Sequence, residues 1–369
     1  MSTTQTPPAD AFAPVGGEAS GPLVSDDLVV FRLADPDHHL SAVRLWQEAR
    51  IPGDQLDFAA VEGGWALVLE RPRVWRMEYM LELTHGDGGH ETILDPANDN
   101  RVGGVFGDHS VVEFPEYVRP WWLDAERVPG SWQSLEAPGR GGLRRSLEAS
   151  VWSPEDAAAD EALPLLLVHD GPEMEQLADV TGYVGASIAA GKIPRSRVAL
   201  LGPGNRNAWY SGSPGYARTL VRSVIPAIRS TVGVRGKPVL MGASLGGLAA
   251  LHAEWTYPGT FGGLFIQSGS FFHLRYDADG AGFSRFWRIT SFVTEVTQAP
   301  ETRYPLPITM TCGVIEGNVD NNRLLADAIA GQGFDVRFVE VPDMHTYTAW
   351  RDAFDPHLTD LLTRAIPLD

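Results

Sequence analysis

The sequence predicts two parts: a small all-β region, then an α/β domain on a mainly parallel sheet. Three observations carry this. Between residues 27 and about 120, short β-like runs are bounded by Gly, Pro, Asp or His. Beyond residue 130, apolar runs alternate with stretches of helical character, the pattern of strands covered on both faces and joined by crossovers. The chain of 369 residues also exceeds one typical domain.

Residues 1–24, rich in Pro, Gly, Ser, Thr and Ala, are expected to form a disordered tail. The β region follows with DLVVFRL, SAVRLWQ, GWALVLE and WRMEYMLEL. Trp65, Leu67 and Leu69 share one face of their run, and Trp75, Met77, Tyr79 and Leu81 share one face of theirs. Such alternation describes a β-sandwich of about a hundred residues. Residues 95–132 are dense in turn formers and aromatics with little periodicity, so they read as a packed linker or an overhanging loop. The domain boundary is expected near Pro129-Gly130, giving 25–129 for the sandwich plus linker and 130–369 for the α/β domain. Trp121, Trp122 and Trp132 are assigned to packing between the two.

In the second domain the apolar runs are LPLLLV (163–168), RVALLG (197–202), PVLMG (238–242), FGGLFIQ (261–267), LPITMTCG (306–313) and DVRFVEV (335–341). Helical patterns cover 216–231, 245–257, 322–330 and 348–365.

Composition excludes several function classes. With 29 Lys and Arg against 47 Asp and Glu the net charge is −18, which repels nucleic acid and anionic membranes. One cysteine, Cys312, rules out an intrachain disulfide and fits a reducing compartment. No apolar stretch approaches a membrane span and the N-terminus lacks signal-peptide character, so a cytoplasmic location is expected. His38, His39, His85, His90 and His109 show no metal-ligand spacing, and neither a metal nor a cofactor is expected.

The chemistry gathers around PVLMGASLGGLAA (238–250). A strand, a turn G-A-S-L-G and a helix with a serine at the apex are the context of a nucleophile elbow, in which Gly242 and Gly246 keep Cβ atoms out of the reversal. Ser244 is the expected nucleophile. In parallel sheets the site lies at the carboxyl ends of the strands, where Glu316 follows LPITMTCG and His345 follows DVRFVEV. Ser, acid, His is the α/β-hydrolase chain order, with His345 as base and Glu316 holding its tautomer. Asp320 competes for the acid role and His169 for the base role. His252 reads as a helix residue and Asp343 as a turn residue. Leu245 offers one oxyanion donor; the second is sought in the loop His169-Asp170-Gly171-Pro172-Glu173-Met174, where Pro172 cannot donate.

The run LLLVHDGPEM, the elbow MGASLGGLAALHA, Pro258-x-x-Phe261-Gly262 leading to QSGSF (267–271), CGVIEGNVDNN and His345 with Trp350-Arg351 together resemble a family of esterases. It includes the enterochelin (ferric-siderophore) esterases, esterase D, feruloyl esterases and mycolyltransferases. The resemblance covers about residues 140–365. It implies an α/β-hydrolase fold with Ser244, Glu316 and His345 as the triad, and the two-domain layout is similar to the enterochelin esterase group. That group has an N-terminal immunoglobulin-like sandwich of the early-set type, which helps form the substrate cleft. The family commonly draws its second oxyanion donor from the residue after the Asp-Gly pair, here Pro172, so either Gly171 or Glu173 donates instead or the hole is weaker.

A small-molecule ester is the expected partner, cleaved through an acyl-enzyme. A siderophore-type ester leads; feruloyl or acetyl carbohydrate esters, acyl transfer, and a catalytically weak binding protein remain as alternatives. Asp170, Arg206, Trp209, Tyr210, Phe271 and Trp287 are the candidate substrate-binding residues, with Arg275, Arg285 and Phe272 considered beside them. Oligomeric state is not readable from the sequence.

Overall fold

A computed structural model describes residues 21–366 except 276, 278–281 and 303. The chain divides into two compact units. The first holds the residues up to Val118 together with Val314–Gly317 and Pro342–His345; the second holds Arg119–Gly313, Asn318–Val341 and the residues from Thr346 onward. Pro129 therefore lies inside the second unit.

The first unit is a sandwich of antiparallel sheets. One sheet has the order β1-β2-β5-β4, from β1 (Leu23–Val24), β2 (Leu28–Ala34), β4 (Ala59–Val61) and β5 (Gly64–Glu70). The other has the order β3-β6-β9-β8, with β7 also paired to β6; it uses β3 (Leu40–Trp46), β6 (Arg76–His85), β7 (His90–Ile93), β8 (Arg101–Gly104) and β9 (Gly107–Glu113). Every second residue points inward. Val29, Phe31, Leu33, Leu67 and Leu69 meet Val43, Leu45, Met77, Tyr79, Leu81 and Val112 in one core. Trp75 departs from the expected stripe: it precedes β6 and is exposed. Leu23 and Val24, placed in the tail by the sequence, instead pair with Val30 and Val29; residues 1–20 of the expected tail lie outside the described residues. The expected linker likewise contains β8 and β9, which the sequence hides because Gly103, Gly104 and Gly107 weaken the alternation.

The second unit carries an eight-stranded sheet, order β10-β11-β13-β12-β14-β15-β16-β17. β10 (Gly130–Ala137) and β11 (Leu147–Pro154) are an antiparallel edge; β12 (Leu165–Val168), β13 (Arg197–Leu201), β14 (Val239–Ala243), β15 (Gly263–Gln267), β16 (Pro307–Gly313) and β17 (Asp335–Val341) run parallel. All six expected strands are present. The helices are α1 (Gly171–Ala178), α2 (Val180–Ala189), α3 (Arg206–Tyr210), α4 (Pro214–Thr219), α5 (Ile225–Thr231), α6 (Leu245–Thr256), α7 (Phe286–Thr297), α8 (Val319–Gly331), α9 (Tyr347–Asp352) and α10 (Thr359–Ala365). Two cores cover the sheet. Leu165 and Leu167 face α3–α8, whereas Leu166 and Val168 face α1, α2, α9 and α10, which is why the strands are apolar throughout. Trp122 is fully buried against Tyr183 and Phe354 in the second core, and Trp132 is exposed on β10. This is the α/β-hydrolase fold. Among the described residues, no helix is long and apolar enough to cross a membrane.

Candidate active site

Strand β14 ends at Ala243 and α6 begins at Leu245, leaving Ser244 alone at the reversal with φ 55° and ψ −122°. A non-glycine residue held there costs on the order of 1–3 kcal/mol, so the surrounding packing has to impose it. It does so through glycine. A Cβ on Gly242 would stand 2.3 Å from the Gly246 oxygen, and one on Gly246 would stand 3.1 Å from the His169 Cβ and 3.3 Å from Asp170 Oδ2. The start of α6 is thereby seated against the turn that ends β12. The Ser244 amide donates to the Gln267 carbonyl at 2.9 Å, and its carbonyl accepts from the Ser270 amide at 3.0 Å. Its Oγ lies 3.1 Å from Ser270 Oγ.

Ser270 sits in a turn after β15 that is itself tied down. Ser268 is left-handed at φ 48°. Asn322 Oδ1 accepts from the Gly269 amide at 2.9 Å while its amide nitrogen donates to the Gly269 carbonyl at 2.9 Å, and Asn318 donates to the Ser268 carbonyl at 2.9 Å. Trp350 Nε1 donates to Ser268 Oγ at 3.0 Å, and Gln267 donates to the Trp350 carbonyl at 2.9 Å. Sequence reasoning assigned no role to Ser270, Asn318 or Asn322. The repeated asparagines in GNVDNN were the available signal, because Asn matches both the donor and the acceptor of a neighbouring backbone.

The turn after β12 is equally fixed. Asp170 is left-handed at φ 50°, and its amide donates to Tyr210 Oη at 3.2 Å. Arg206 grips the buried Asp170 carboxylate with two parallel bonds, Nε to Oδ1 and a terminal nitrogen to Oδ2, each 2.8 Å. This corrects two expectations. Arg206 is neutralised by Asp170, so the pair orders the turn and is not an uncommitted cation for an anionic substrate. Trp209, Tyr210 and Phe271 are buried in the core beside the sheet, not on a cleft wall, because their rings fill the volume between the helices and the sheet. Trp287 is 63% exposed and Arg285 is also exposed. Gly171 and Glu173 open α1, with Pro172 between them. First-turn amides have no acceptor within their own helix, which keeps Leu245, Gly171 and Glu173 eligible as oxyanion donors.

His169 is fully buried between Tyr210 and Tyr216, and neither ring nitrogen has a hydrogen bond of good geometry, although the carbonyls of Gly246 and Met241 act on the ring in favour of its cation. Burial, with Arg206 adding, lowers its pKa to about 3. It is unsuited to serve as the base. His252, packed edge-on against Phe292, is lowered to about 4 by burial and then Arg288. Both folded values lie below the unfolded 6.5, so their stabilisation is full above pH 6.5 and is lost as pH falls. Each costs about 1.4 kcal/mol per pH unit until its folded value is reached. His109 opposes them: its hydrogen bond to Glu78 raises its pKa, and that stabilisation is lost as pH rises. The melting temperature is expected to fall between pH 7 and 5, and to fall less steeply in His252→Gln. Equal slopes in the two proteins would contradict this assignment.

In the first unit, the segments that leave β16 and β17 carry Glu316 and His345, and the structure brings these two together. Glu316 Oε2 accepts from His345 Nδ1 at 2.7 Å; the carboxylate side chain is 1% exposed and the imidazole 31%. With Nδ1 donating, Nε2 is the ring's acceptor. Asp320 is exposed in the first turn of α8 and paired with Arg323 at 2.7 Å, so it does not share this role. Asp343 is more than a turn former: it is buried and bonded to Arg76 at 2.9 Å.

Residues 141–361, more than half of the chain, match the Esterase family model. The chain belongs to the Esterase family. The chain is 26% identical over 226 residues to the iron(III) enterobactin esterase of Dickeya dadantii (strain 3937), a match covering 58% of this chain and 51% of that protein, about half the relative's length. Among solved structures it is similar to the ferric enterobactin esterase of Salmonella typhimurium, with a TM-score of 0.75 at 19% identity over 94% of this chain and 96% of the other. It is also similar to the Shigella flexneri enterobactin esterase crystallised in the presence of enterobactin, with a TM-score of 0.74 at 18% identity over 92% and 95%. A ferulic acid esterase matches with a TM-score of 0.53 at 17% identity, covering 63% of this chain and 98% of its own. At these identities the structural likeness is one of fold.

Proposed function

We propose that the chain is a carboxylic ester hydrolase that works through an acyl-enzyme on Ser244. The observation that carries this is the backbone at Ser244, a costly conformation enforced by Gly242 and Gly246 at the head of a helix. His345 takes the proton from Ser244 Oγ as the oxygen attacks the ester carbonyl, and Glu316 holds the ring and stabilises the imidazolium. The Leu245 amide, with an amide from the Gly171–Glu173 turn, receives the developing oxyanion at the N-termini of α6 and α1. His345 returns the proton to the departing alcohol; water, deprotonated by the same ring, then releases the acid and restores Ser244.

For the substrate we infer an enterobactin-type siderophore ester. Support comes from extent: the enterobactin esterases match over more than nine-tenths of this chain, sandwich included, whereas the ferulic acid esterase matches 63% of it. The test is incubation with enterobactin, iron-free and ferric, followed by chromatography for 2,3-dihydroxybenzoyl-serine. Release of that product by wild type and not by Ser244→Ala is expected. Turnover of p-nitrophenyl butyrate with enterobactin left intact would sink the siderophore assignment and leave the esterase standing.

A further inference from the structure

We propose that the N-terminal sandwich positions the acid–base pair, with Arg76 and Arg50 as its positioning residues; this rests on the serine-esterase mechanism above. The segments Val314–Gly317 and Pro342–His345 belong to the same compact unit as the sandwich strands. Met344, adjacent to the base, is buried in the sandwich core, and Val314 and Ile315, adjacent to the acid, pack against that core. The Trp75 amide donates to the Pro342 carbonyl at 2.7 Å, extending the entry of β6 onto the base segment. One residue on, Arg76 lies buried beneath the Tyr117 ring, its guanidinium carbon 5.4 Å from the ring centroid, and bonds Asp343 at 2.9 Å. The other Asp343 oxygen accepts from the Met344 amide at 2.8 Å. The chain is thus clamped at two positions immediately before His345. On the acid side the Arg50 amide donates to the Ile315 carbonyl at 3.2 Å, and the Arg50 guanidinium donates to the Gly317 carbonyl, bracketing Glu316.

A loop that serves only to connect β17 to α9 has no need of a buried charge pair, because burying two ions is repaid poorly in stability. What such a pair provides is a fixed geometry: a carboxylate at a single address specifies the path of the next two residues. The 2.7 Å bond between Glu316 and His345 then depends on two segments being held in register by one rigid scaffold, and a misplacement of about 1 Å in such a pair is worth up to a hundredfold in rate.

The test compares wild type, Arg76→Ala, Arg76→Lys and Arg50→Ala in steady-state hydrolysis of p-nitrophenyl butyrate, with melting temperature measured in parallel. Arg76→Ala is expected to lower kcat about tenfold or more with KM within about twofold. Arg76→Lys should recover part of kcat, since an ammonium still neutralises Asp343 but lacks the planar fork. Arg50 is exposed, so Arg50→Ala should melt as wild type does while losing kcat several-fold. If Arg76→Ala fails to fold, Arg50→Ala decides. Folded variants with wild-type kcat would overturn the positioning role and leave the serine mechanism intact. A wild type whose turnover survives Ser244→Ala would overturn both.

Discussion

Ser244→Ala is expected to lower kcat on p-nitrophenyl butyrate by about 10⁶-fold, to the rate that transition-state contacts sustain without a nucleophile. The size follows from how the residues act together: without Oγ, the Glu316–His345 pair has no proton to accept and no covalent intermediate can form. KM should change little, since Oγ contributes mainly to the transition state. The fold should survive, because Gly242 and Gly246 enforce the reversal and Ala tolerates the same dihedral angles no worse than Ser. Single-turnover kinetics on both proteins would check this. A variant within tenfold of wild type would remove Ser244 from the mechanism.

Glu316→Gln is expected to lower kcat by about 10⁴-fold. The carboxylate has only acceptors to offer His345 Nδ1, so it fixes the tautomer with Nε2 unprotonated; a glutamine amide offers either a donor or an acceptor and carries no charge to meet the imidazolium. Because Glu316 is buried, water does not replace what the substitution removes. Asp320→Asn is the matched control. Asp320 is exposed and its Arg323 partner also bonds Glu340, so kcat should stay within about twofold, the range of surface ion-pair effects. Full activity in Glu316→Gln together with a large loss in Asp320→Asn would reverse the assignment of the acid.

Much of the parallel sheet was legible because burial on both faces leaves unbroken apolar runs: Leu165–Val168, Val239–Ala243 and Gly263–Gln267 read as strands from composition alone. The edge hairpin β10–β11 was not, since β10 is exposed on both faces from Ser131 to Ser134 and its polar residues interrupt the apolar signal. Helices α1 and α2 escaped for a related reason: α2 is buried almost all round, so it lacks a polar face to set a period. At the site, Ser244, Glu316 and His345 were legible as candidates because each stands just past a strand end. The fixed backbone turns around them were not, because the partners that fix them are remote in sequence: Asn322 on Gly269, Arg206 on Asp170, Arg76 on Asp343. The same distance explains why Tyr210 and Phe271 were misplaced. An aromatic residue near a strand end carries no local mark of whether its ring turns into the core or toward substrate.

The most direct measurement is intact-protein and peptide mass spectrometry after treatment with a fluorophosphonate, applied to wild type and Ser244→Ala. An acyl-enzyme at Ser244 predicts one adduct, on the peptide containing Ser244, that appears as hydrolytic activity disappears and is absent from the variant. A wild type that hydrolyses esters while remaining unlabelled, or that is labelled on another residue, would contradict it.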